Sequence, residues 1–504
     1  MSQVKPAVSI SVPPSDSAAD SLSRSILWLA SLVILQRGIG FLRSFYVCGQ
    51  LTSAQVGQWD LAFNFLSVMA PLAVLGIPGS FGRYLVRYEE DGSERRFLSQ
   101  TLLVSVVLSL LAAVCIWTFR QPIARVFLGD VNHLHLVAIL AVGLPLVAMF
   151  NFANSWFTGK RQNRIVFRIQ FSQALMFACL CAFAFQFFAV NAESVVIAYL
   201  VSCLVGIILA ATYVTRVSTS ADYSPTHSAA IWSTILPFAV WVWVSNAMFN
   251  LFATCDRLLL VNFYTGETSD ISYLIGQYHT ACIFPLLLMS VGAMAGSMVT
   301  PYLSKPWEAG DSESVAELMN LMLKSIGLLC LTLSAAVFIV APVLFGNLWR
   351  DKFAIGESLL PMTLSLGSLA AMTFVAQKYF WCIEKTWFSS LLLMCGLVIN
   401  FAVGIALIGP LGIDGVVFST WLAHATILLS VILVCRQHGL KVEIRVALVV
   451  LGLLGIGLGK WVTCGALLFL ITLSLTTDWV FTQRQRRLLN THISRWLQKL
   501  GANT

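Results

Sequence analysis

Two arginines lie inside a long apolar stretch near the start of the chain, residues 25–49. Arg37 and Arg43 are six residues apart, so on a helix their side chains point about 120° from each other and need not share one face. A charge at bilayer depth costs roughly 2.5–3.5 kcal/mol and is rarely left facing lipid. Each arginine therefore predicts either a polar cavity for an anionic ligand or a side chain that snorkels to the membrane surface, a route open to Arg43 near the helix end.

The composition is that of an integral membrane protein. Of the 504 residues, 58% are hydrophobic and only 11% are charged, whereas a soluble domain has roughly 25% charged residues. The net charge of +8 is better explained by basic cytoplasmic loops than by nucleic-acid binding. The twelve cysteines include no CxxC pair, so we expect them to serve in packing and predict neither a redox motif nor a metal site.

Apolar segments of membrane-spanning length recur along the whole chain and predict an all-α integral membrane protein of about 14 transmembrane helices. Their approximate bounds are 25–49, 58–80, 98–119, 134–157, 166–188, 194–215, 232–262, 272–299, 319–341, 356–380, 387–408, 413–435, 443–460 and 463–481. The last two segments are short, so the number of spans within 443–481 stays open.

The distribution of basic residues predicts the orientation of the chain. With the N-terminus in the cytoplasm, 23 of the 31 lysines and arginines fall in inside segments and six in outside segments. Cytoplasmic loops carry the excess of positive charge in membrane proteins. We therefore expect a multi-pass protein of the inner cell membrane with both termini in the cytoplasm.

The two ends of the chain differ from the rest in composition. Residues 1–23 are rich in Ser, Pro and Ala and lack a signal-peptide pattern, which predicts a disordered cytoplasmic tail. Residues 484–500 carry apolar residues at helical spacing with basic residues between them. This pattern predicts that 483–504 is a basic amphipathic tail lying on the anionic inner leaflet.

Two sequence patterns recur at nearly the same offset, which indicates an internal repeat. GQWDLAF (57–63) resembles GQYHTAC (276–282) at an offset of 219, and RYLVRYEEDG (83–92) resembles PYLSKPWEAG (301–310) at an offset of 218. Six predicted spans separate the copies, so the two halves have the same orientation in the membrane.

The repeat predicts two parallel six-helix lobes around a central cavity. We place the N-terminal lobe at 24–216, a cytoplasmic linker at 217–231 and the C-terminal lobe at 232–436. Two additional transmembrane helices follow at 437–482. Binding sites in proteins built from such repeats lie between the lobes.

The repeat also points to charged residues in both lobes. An offset of 219 carries Arg37 onto Asp256, which precedes Arg257. We therefore predict Arg37, Arg43, Asp256 and Arg257 as substrate-binding residues of the cavity; the alternative is that Asp256 and Arg257 simply end the seventh helix at the surface. Asn250 and Asp256 lie six residues apart on that helix and are candidates for holding a coupling cation.

Signatures of catalysis are missing from the sequence. No predicted loop is long enough to fold as a catalytic domain, and neither a nucleotide-binding loop nor a nucleophile elbow occurs. We therefore expect a protein that is not an enzyme and needs no cofactor. This argues against an ATP-driven pump and a membrane-bound transferase.

Four motifs together resemble the polysaccharide-exporter branch of the multidrug/oligosaccharidyl-lipid/polysaccharide transporter superfamily. They are LTSAQVGQWDLAF (51–63), GIPGSFGRYLVRY (76–88), WFTGKRQNR (156–164) and CDRLLL (255–260). The resemblance covers about 25–481. It implies a flippase that moves lipid-linked sugar units from the inner to the outer leaflet by alternating access.

The first helix carries a second resemblance. RGIGFLR (37–43) is similar to the first-helix pattern of lipid II flippases, whose arginines there line the cavity, which implies the same role for Arg37 and Arg43. Ser44 stands where that family typically has an acidic residue, which argues against lipid II as the substrate.

These observations together predict a flippase for a polyprenyl-pyrophosphate-linked oligosaccharide. Arginine suits the pyrophosphate because its guanidinium group donates two parallel, charge-assisted hydrogen bonds. The expected partners are this lipid-linked oligosaccharide, membrane lipids and other polysaccharide-assembly proteins, with no nucleic acid. The alternatives are a cation-coupled multidrug efflux antiporter, a lipid II flippase and, from another class, a membrane sugar polymerase or ligase.

Overall fold

The computed structural model describes residues 35–130, 133–217, 228–266, 271–477, 480–483 and 485. Within these ranges the chain is helical and contains no β-strand, so the prediction of an all-α protein is confirmed. The predicted tail 1–23 lies outside the described residues. So does the amphipathic helix predicted at 484–500, apart from Gln485.

The helices follow one another with short connections. They are α1 (35–50), α2 (Ser53–Ala73), α3 (Phe81–Glu90), α4 (Glu94–Thr118), α5 (Arg120–Ile123), α6 (Leu134–Gly159), α7 (Asn163–Phe187), α8 (Ala192–Val217), α9 (Ser228–Phe263), α10 (Ile271–Glu308), α11 (Ser312–Pro342), α12 (Ala354–Ala376), α13 (Lys378–Cys382), α14 (Trp387–Gln437), α15 (Ile444–Gly455) and α16 (Lys460–Thr476). Every predicted span overlaps one of these helices.

Nine helices in the described part of the chain are long and apolar enough to cross a membrane, and a tenth span results if α2 is counted with the segment Ile77–Glu90. That pair is bent by 64°. The 51-residue helix α14 contains two predicted spans, because Gly412, with φ 59° and ψ −132°, breaks it in the middle. A count of fourteen crossings stays a prediction, since α15 and α16 have only 12 and 17 residues.

The connection between α1 and α2 is very short and is fixed by a cap. Thr52 accepts a hydrogen bond from the backbone N–H of Gln55 at 3.3 Å, and the Gln55 side chain accepts one from the Thr52 N–H at 3.0 Å. This capping box satisfies free donors at the start of α2. At the corresponding place in the C-terminal part, α9 ends at Phe263 and α10 is described from Ile271.

We call α1–α8 the N-terminal half and α9–α14 the C-terminal half. A buried lysine holds the last two helices, α15 and α16, against the C-terminal half. Lys324 on α11 donates to Glu443 Oε2 at 3.1 Å, to the Val480 carbonyl at 2.9 Å and to Gln485 Oε1 at 2.7 Å. Glu443 precedes α15, whereas Val480 and Gln485 follow α16. Three acceptors satisfy the three protons of the ammonium group, so the charge is stable although it is buried.

Candidate functional site

The closest approach of the two halves is the crossing of α2 and α10. A Cβ atom on Gly57 would lie 1.8 Å from the Ser272 carbonyl oxygen, and one on Gly276 would lie 1.9 Å from the Ser53 carbonyl oxygen. Small residues four apart allow two helix backbones to touch in this way. We call this contact of Ser53, Gly57, Ser272 and Gly276 the α2–α10 crossing.

Side-chain hydrogen bonds extend the crossing toward the start of α12. Gln277 donates to Ser53 Oγ at 3.1 Å and to the Lys352 carbonyl at 2.9 Å. Its side-chain oxygen accepts from the backbone N–H of Gly356 at 3.0 Å. One carboxamide therefore connects α2, α10 and the segment before α12.

Lys352, in the segment before α12, also binds the end of α1. Lys352 donates to the carbonyls of Gly49 at 2.6 Å, Leu51 at 3.1 Å and Cys48 at 3.3 Å. The last carbonyls of a helix lack partners within the helix and attract a cation. Burial against them lowers the pKa of Lys352. This lysine, from the C-terminal half, caps the first helix of the N-terminal half.

Below the crossing, a carboxylate of α2 meets two donors from the other half. Asp60 is 4% exposed and accepts from Arg257 Nε at 3.0 Å and Nη2 at 3.5 Å. His279 Nδ1 lies 2.6 Å from Asp60 Oδ1, and His279 Nε2 is buried without a hydrogen-bond partner. We call Asp60, Arg257 and His279 the charge bridge. It joins α2 to α9 and α10 by charge-assisted bonds.

The neighbouring Asp256 belongs to a separate polar cluster within the C-terminal half. Its Oδ1 accepts from Thr420 Oγ1 at 2.5 Å and from Asn400 Nδ2 at 3.1 Å, while its Oδ2 accepts from the Tyr278 hydroxyl. Thr420 Oγ1 also lies 3.1 Å from the Val416 carbonyl. The carboxylate of Asp256 and the hydroxyls of Thr420 and Tyr278 are hard oxygen atoms of the kind that a small cation prefers, whereas Asn400 presents its amide nitrogen to the carboxylate.

The predicted cavity arginines lie in different surroundings. The guanidinium of Arg43 lies 4.0 Å from the centre of the Phe177 ring on α7, and its Nε is buried without a hydrogen-bond partner. Arg43 therefore points into the N-terminal half. Arg37 is exposed on α1. Asn250 donates to the Asn246 carbonyl of its own helix at 2.8 Å, so Asn400 and Thr420, and not Asn250, contact Asp256.

The helix ends give a different register from the one that paired Arg37 with Asp256. α1 ends at residue 50 and α9 at Phe263, so these two helices align by their ends at an offset of 213. This offset places Arg43 at the depth of Asp256. Arg37 lies six residues, or about 9 Å, further from the helix end. The residue that meets Arg257 is Asp60.

Sequence reasoning missed Asp60 and His279 as site residues, although both stand in the motifs that revealed the repeat. GQWDLAF (57–63) aligned with GQYHTAC (276–282) places Asp60 opposite His279. An acidic residue and a possible cation at equivalent intramembrane positions were the available signal. Among the described residues, no group of three His, Cys, Asp or Glu side chains is placed to hold a metal ion.

Solved structures of membrane transporters resemble most of the chain. The structure titled "Lipid II flippase MurJ, inward closed conformation" matches with a TM-score of 0.69 and 14% identity, covering 92% of this chain and 100% of the other. An inward-facing multidrug resistance MATE family transporter matches with a TM-score of 0.62 and 14% identity, over 82% and 95% of the two chains. A MOP superfamily transporter from Pyrococcus furiosus matches with 0.56 and 17%, over 85% and 95%. At these identities the likeness establishes the fold.

The sequence itself matches a family profile. No curated protein sequence matches the chain. The profile of the family described as "Polysaccharide biosynthesis protein" matches residues 22–307, which is more than half of the 504 residues. The protein is therefore a multi-pass membrane protein with the fold of the MOP superfamily transporters and flippases, and it belongs to the polysaccharide biosynthesis protein family.

Proposed function

We propose that the protein flips a polyprenyl-pyrophosphate-linked oligosaccharide from the cytoplasmic to the outer leaflet by alternating access. The observation that carries this proposal is the charge bridge of Asp60, Arg257 and His279 between the two halves. Burying charge in a membrane protein is costly, and such groups commonly serve transport. A contact that must form and break in each cycle gains from polar bonds, because the separated groups are stable when water reaches them.

The halves are closed at the end of the bundle where α2 and α10 begin. The α2–α10 crossing, the charge bridge and Lys352 all lie there. The excess of basic residues in the alternate connections supports placing this end on the outer side and both termini in the cytoplasm. In this proposal the described conformation is closed to the outside, and the transport cycle requires these contacts to open.

The family and the arginines support the choice of substrate. The chain belongs to a polysaccharide biosynthesis family, and assembling a polysaccharide outside the cell requires sugar units to cross the membrane. A pyrophosphate-bearing head group is too polar to cross lipid unaided. Arg37 is exposed on α1 and has the planar fork that recognises phosphate oxygens. Arg43 and Arg257 supply further positive charge within the span, and membrane lipids surround the carrier chain.

A coupling cation is proposed at Asp256. The carboxylate has Asn400 and Thr420 as neighbours, and the Val416 carbonyl lies within the same cluster. This cluster also favours a second candidate function, a cation-coupled multidrug antiporter, since a MATE family transporter has the same fold. The buried arginines favour an anionic substrate over a cationic drug.

Deleting the gene tests the function directly. We expect the cell to accumulate a lipid-linked saccharide on the cytoplasmic leaflet, and we expect the intact gene to restore its export. Drug susceptibility measured on the same strain separates the antiporter alternative. An unchanged pool of lipid-linked saccharides, together with increased sensitivity to amphipathic cations, would replace the flippase proposal by the antiporter.

A further inference from the structure

The donors and the acceptor of the charge bridge lie on opposite sides of the interface between the halves. Both donors, Arg257 on α9 and His279 on α10, belong to the C-terminal half, and the acceptor Asp60 belongs to the N-terminal half. Asp60 is thus the group through which these two donors hold α2. Any other anion that satisfied them would leave the C-terminal half intact and remove these two charged bonds to α2.

The two donors also have unused hydrogen-bonding capacity. Arg257 donates Nε and Nη2 to Asp60 and Nη1 to the Ala253 carbonyl at 3.2 Å, which leaves two of its five N–H protons. His279 Nε2 is buried without a partner. The side chains of Arg257 and His279 are 11% and 15% exposed, against 5% for Asp60. The donors are therefore more accessible than the carboxylate that they bind.

The neighbouring groups position Arg257 but do not supply another anion that is free to pair with its guanidinium. Its guanidinium lies 4.8 Å from the centre of the Tyr278 ring. The carboxylate of Asp256, the next residue along α9, is occupied by Thr420, Asn400 and Tyr278. The positive charge of Arg257 is therefore balanced by Asp60, across the interface between the halves.

We propose that Arg257 and His279 form a pyrophosphate-binding site that an incoming anion occupies by displacing Asp60. The inference rests on the proposed function and deepens it, because it assigns the substrate anion as the ligand that opens the charge bridge. Pyrophosphate oxygens fit the guanidinium fork bidentately and accept the His279 Nδ1–H that Asp60 gives up. Binding replaces one anion by another at the C-terminal half, so Arg257 keeps an anionic partner while its charged bond to α2 is lost.

The remaining contacts of the interface respond differently. Gln277 and Lys352 bind hydroxyl and carbonyl oxygens of the N-terminal half, which carry no net charge. A pyrophosphate that displaces the Asp60 carboxylate does not compete with these neutral oxygen atoms for Gln277 or Lys352. The Asp60 carboxylate is therefore the element that confers sensitivity to the anion, and Lys352 adds stability that is independent of it.

A distance measurement between the halves tests this inference. Cysteines at the exposed positions Gln50, at the end of α1, and Ala354, at the start of α12, carry spin labels in the full chain after the twelve native cysteines are replaced. The probes are undecaprenyl pyrophosphate in lipid nanodiscs and inorganic pyrophosphate in the buffer, with undecaprenol as the phosphate-free control. We expect the pyrophosphates to raise the ratio of long to short distances about tenfold, a typical size for coupling between sites.

Two variants give the matched comparison. Asp60→Asn should show the long distance without any probe and no further change with pyrophosphate. Lys352→Met should also weaken closure but keep the full response to pyrophosphate, because its partners are neutral carbonyls. If Asp60→Asn fails to fold, Arg257→Lys serves instead: it keeps the charge, loses the fork and should need a higher pyrophosphate concentration.

Each outcome decides the inference. A response to inorganic pyrophosphate supports a site for the anion alone, and a response only to the lipid supports a site that also needs the carrier chain. No response to either probe, or the same response in Asp60→Asn, overturns it. If gene deletion causes lipid-linked saccharide to accumulate but the distance does not respond, the flippase function stands and the anion-exchange site fails. If the distance responds but gene deletion causes no saccharide to accumulate, the anion-exchange site stands and the flippase function fails.

Discussion

Asp60 on α2 and His279 on α10 are equivalent positions of the two halves, 219 residues apart, and they contact each other at 2.6 Å. The α2–α10 crossing shows the same reciprocity, since Gly57 meets Ser272 and Gly276 meets Ser53. Equivalent residues of a repeat meet only near the axis that relates the halves. These reciprocal contacts support the predicted repeat and place its expected axis between α2 and α10, where one equivalent pair is a carboxylate and an imidazole.

The crossing predicts that Gly57→Ala separates the halves. A Cβ at this position would lie 1.8 Å from the Ser272 carbonyl oxygen, so the two backbones must move apart although alanine itself favours a helix. We expect a longer distance between labels at Gln50 and Ala354 and reduced export. The matched control is Gly40→Ala on α1, where nothing lies within 4 Å of the added atom. Equal effects of the two substitutions would contradict the close approach.

The charge bridge predicts strong coupling between Asp60 and Arg257. Removing one partner of a buried ion pair leaves a charge without compensation and costs about 3–5 kcal/mol. We expect Asp60→Ala and Arg257→Ala each to lower the thermal unfolding midpoint, and the double variant to lose much less than the sum. Lys324 belongs to a separate cluster, so Asp60→Ala combined with Lys324→Met should be additive. Additive losses for Asp60 and Arg257 would argue against the bridge.

Much of the fold was predictable because a membrane-spanning helix needs an uninterrupted apolar run of sufficient length. Such runs gave the helices, and the repeated motifs gave the relation between α2 and α10. The partner of Arg257 was not predictable in this way. Asp60 stands alone in an apolar helix, and its donors come from residues about 200 positions later in the chain. The apolar and polar pattern of a single helix does not show which residue of a distant helix it will contact.

The depth of the arginines shows a second limit of the sequence. A repeat offset of 219, taken from α2 and α10, was applied to the preceding helices, whose ends at residues 50 and 263 are 213 apart. Connection length depends on where a helix ends, and helix ends are the least certain part of any hydropathy pattern. The helix ends therefore pair Asp256 with Arg43 in sequence register, and the shared cavity of Arg37 and Asp256 stays a prediction.

The orientation of the chain remains a prediction that reporter fusions test. Fusions after Gly49, Glu90 and Thr504 should report outside, inside and inside, because the basic residues are concentrated in the predicted cytoplasmic segments. Glu90, at the end of α3, gives the internal control for an inside signal. An outside signal at Thr504 would exclude an even number of spans, and the short helices α15 and α16 would then be the source of the difference.

Arg37 and Arg43 should respond differently to replacement. Arg37 is exposed on α1, so Arg37→Ala should lower export while the amount of protein in the membrane stays near normal. Arg43 packs on Phe177 inside the N-terminal half, so Arg43→Ala should lower both the amount and the thermal stability of the protein. Export and membrane level measured on the same cells separate the two effects. Full export by Arg37→Ala would remove this residue from the transport route.

Asp256 should bind a cation that stabilises the folded protein. A ligand at 100 times its dissociation constant stabilises by about 2.7 kcal/mol, so the unfolding midpoint should rise when Na⁺ or K⁺ replaces choline at constant ionic strength. Asp256→Asn keeps the shape of the side chain and its place beside Thr420 and Asn400 but removes the negative charge, and should abolish this rise. Asp60→Asn is the matched control, since it removes a buried carboxylate outside the Asp256 cluster and should keep the response. A rise of equal size in the Asp256 variant would show that the cation binds elsewhere.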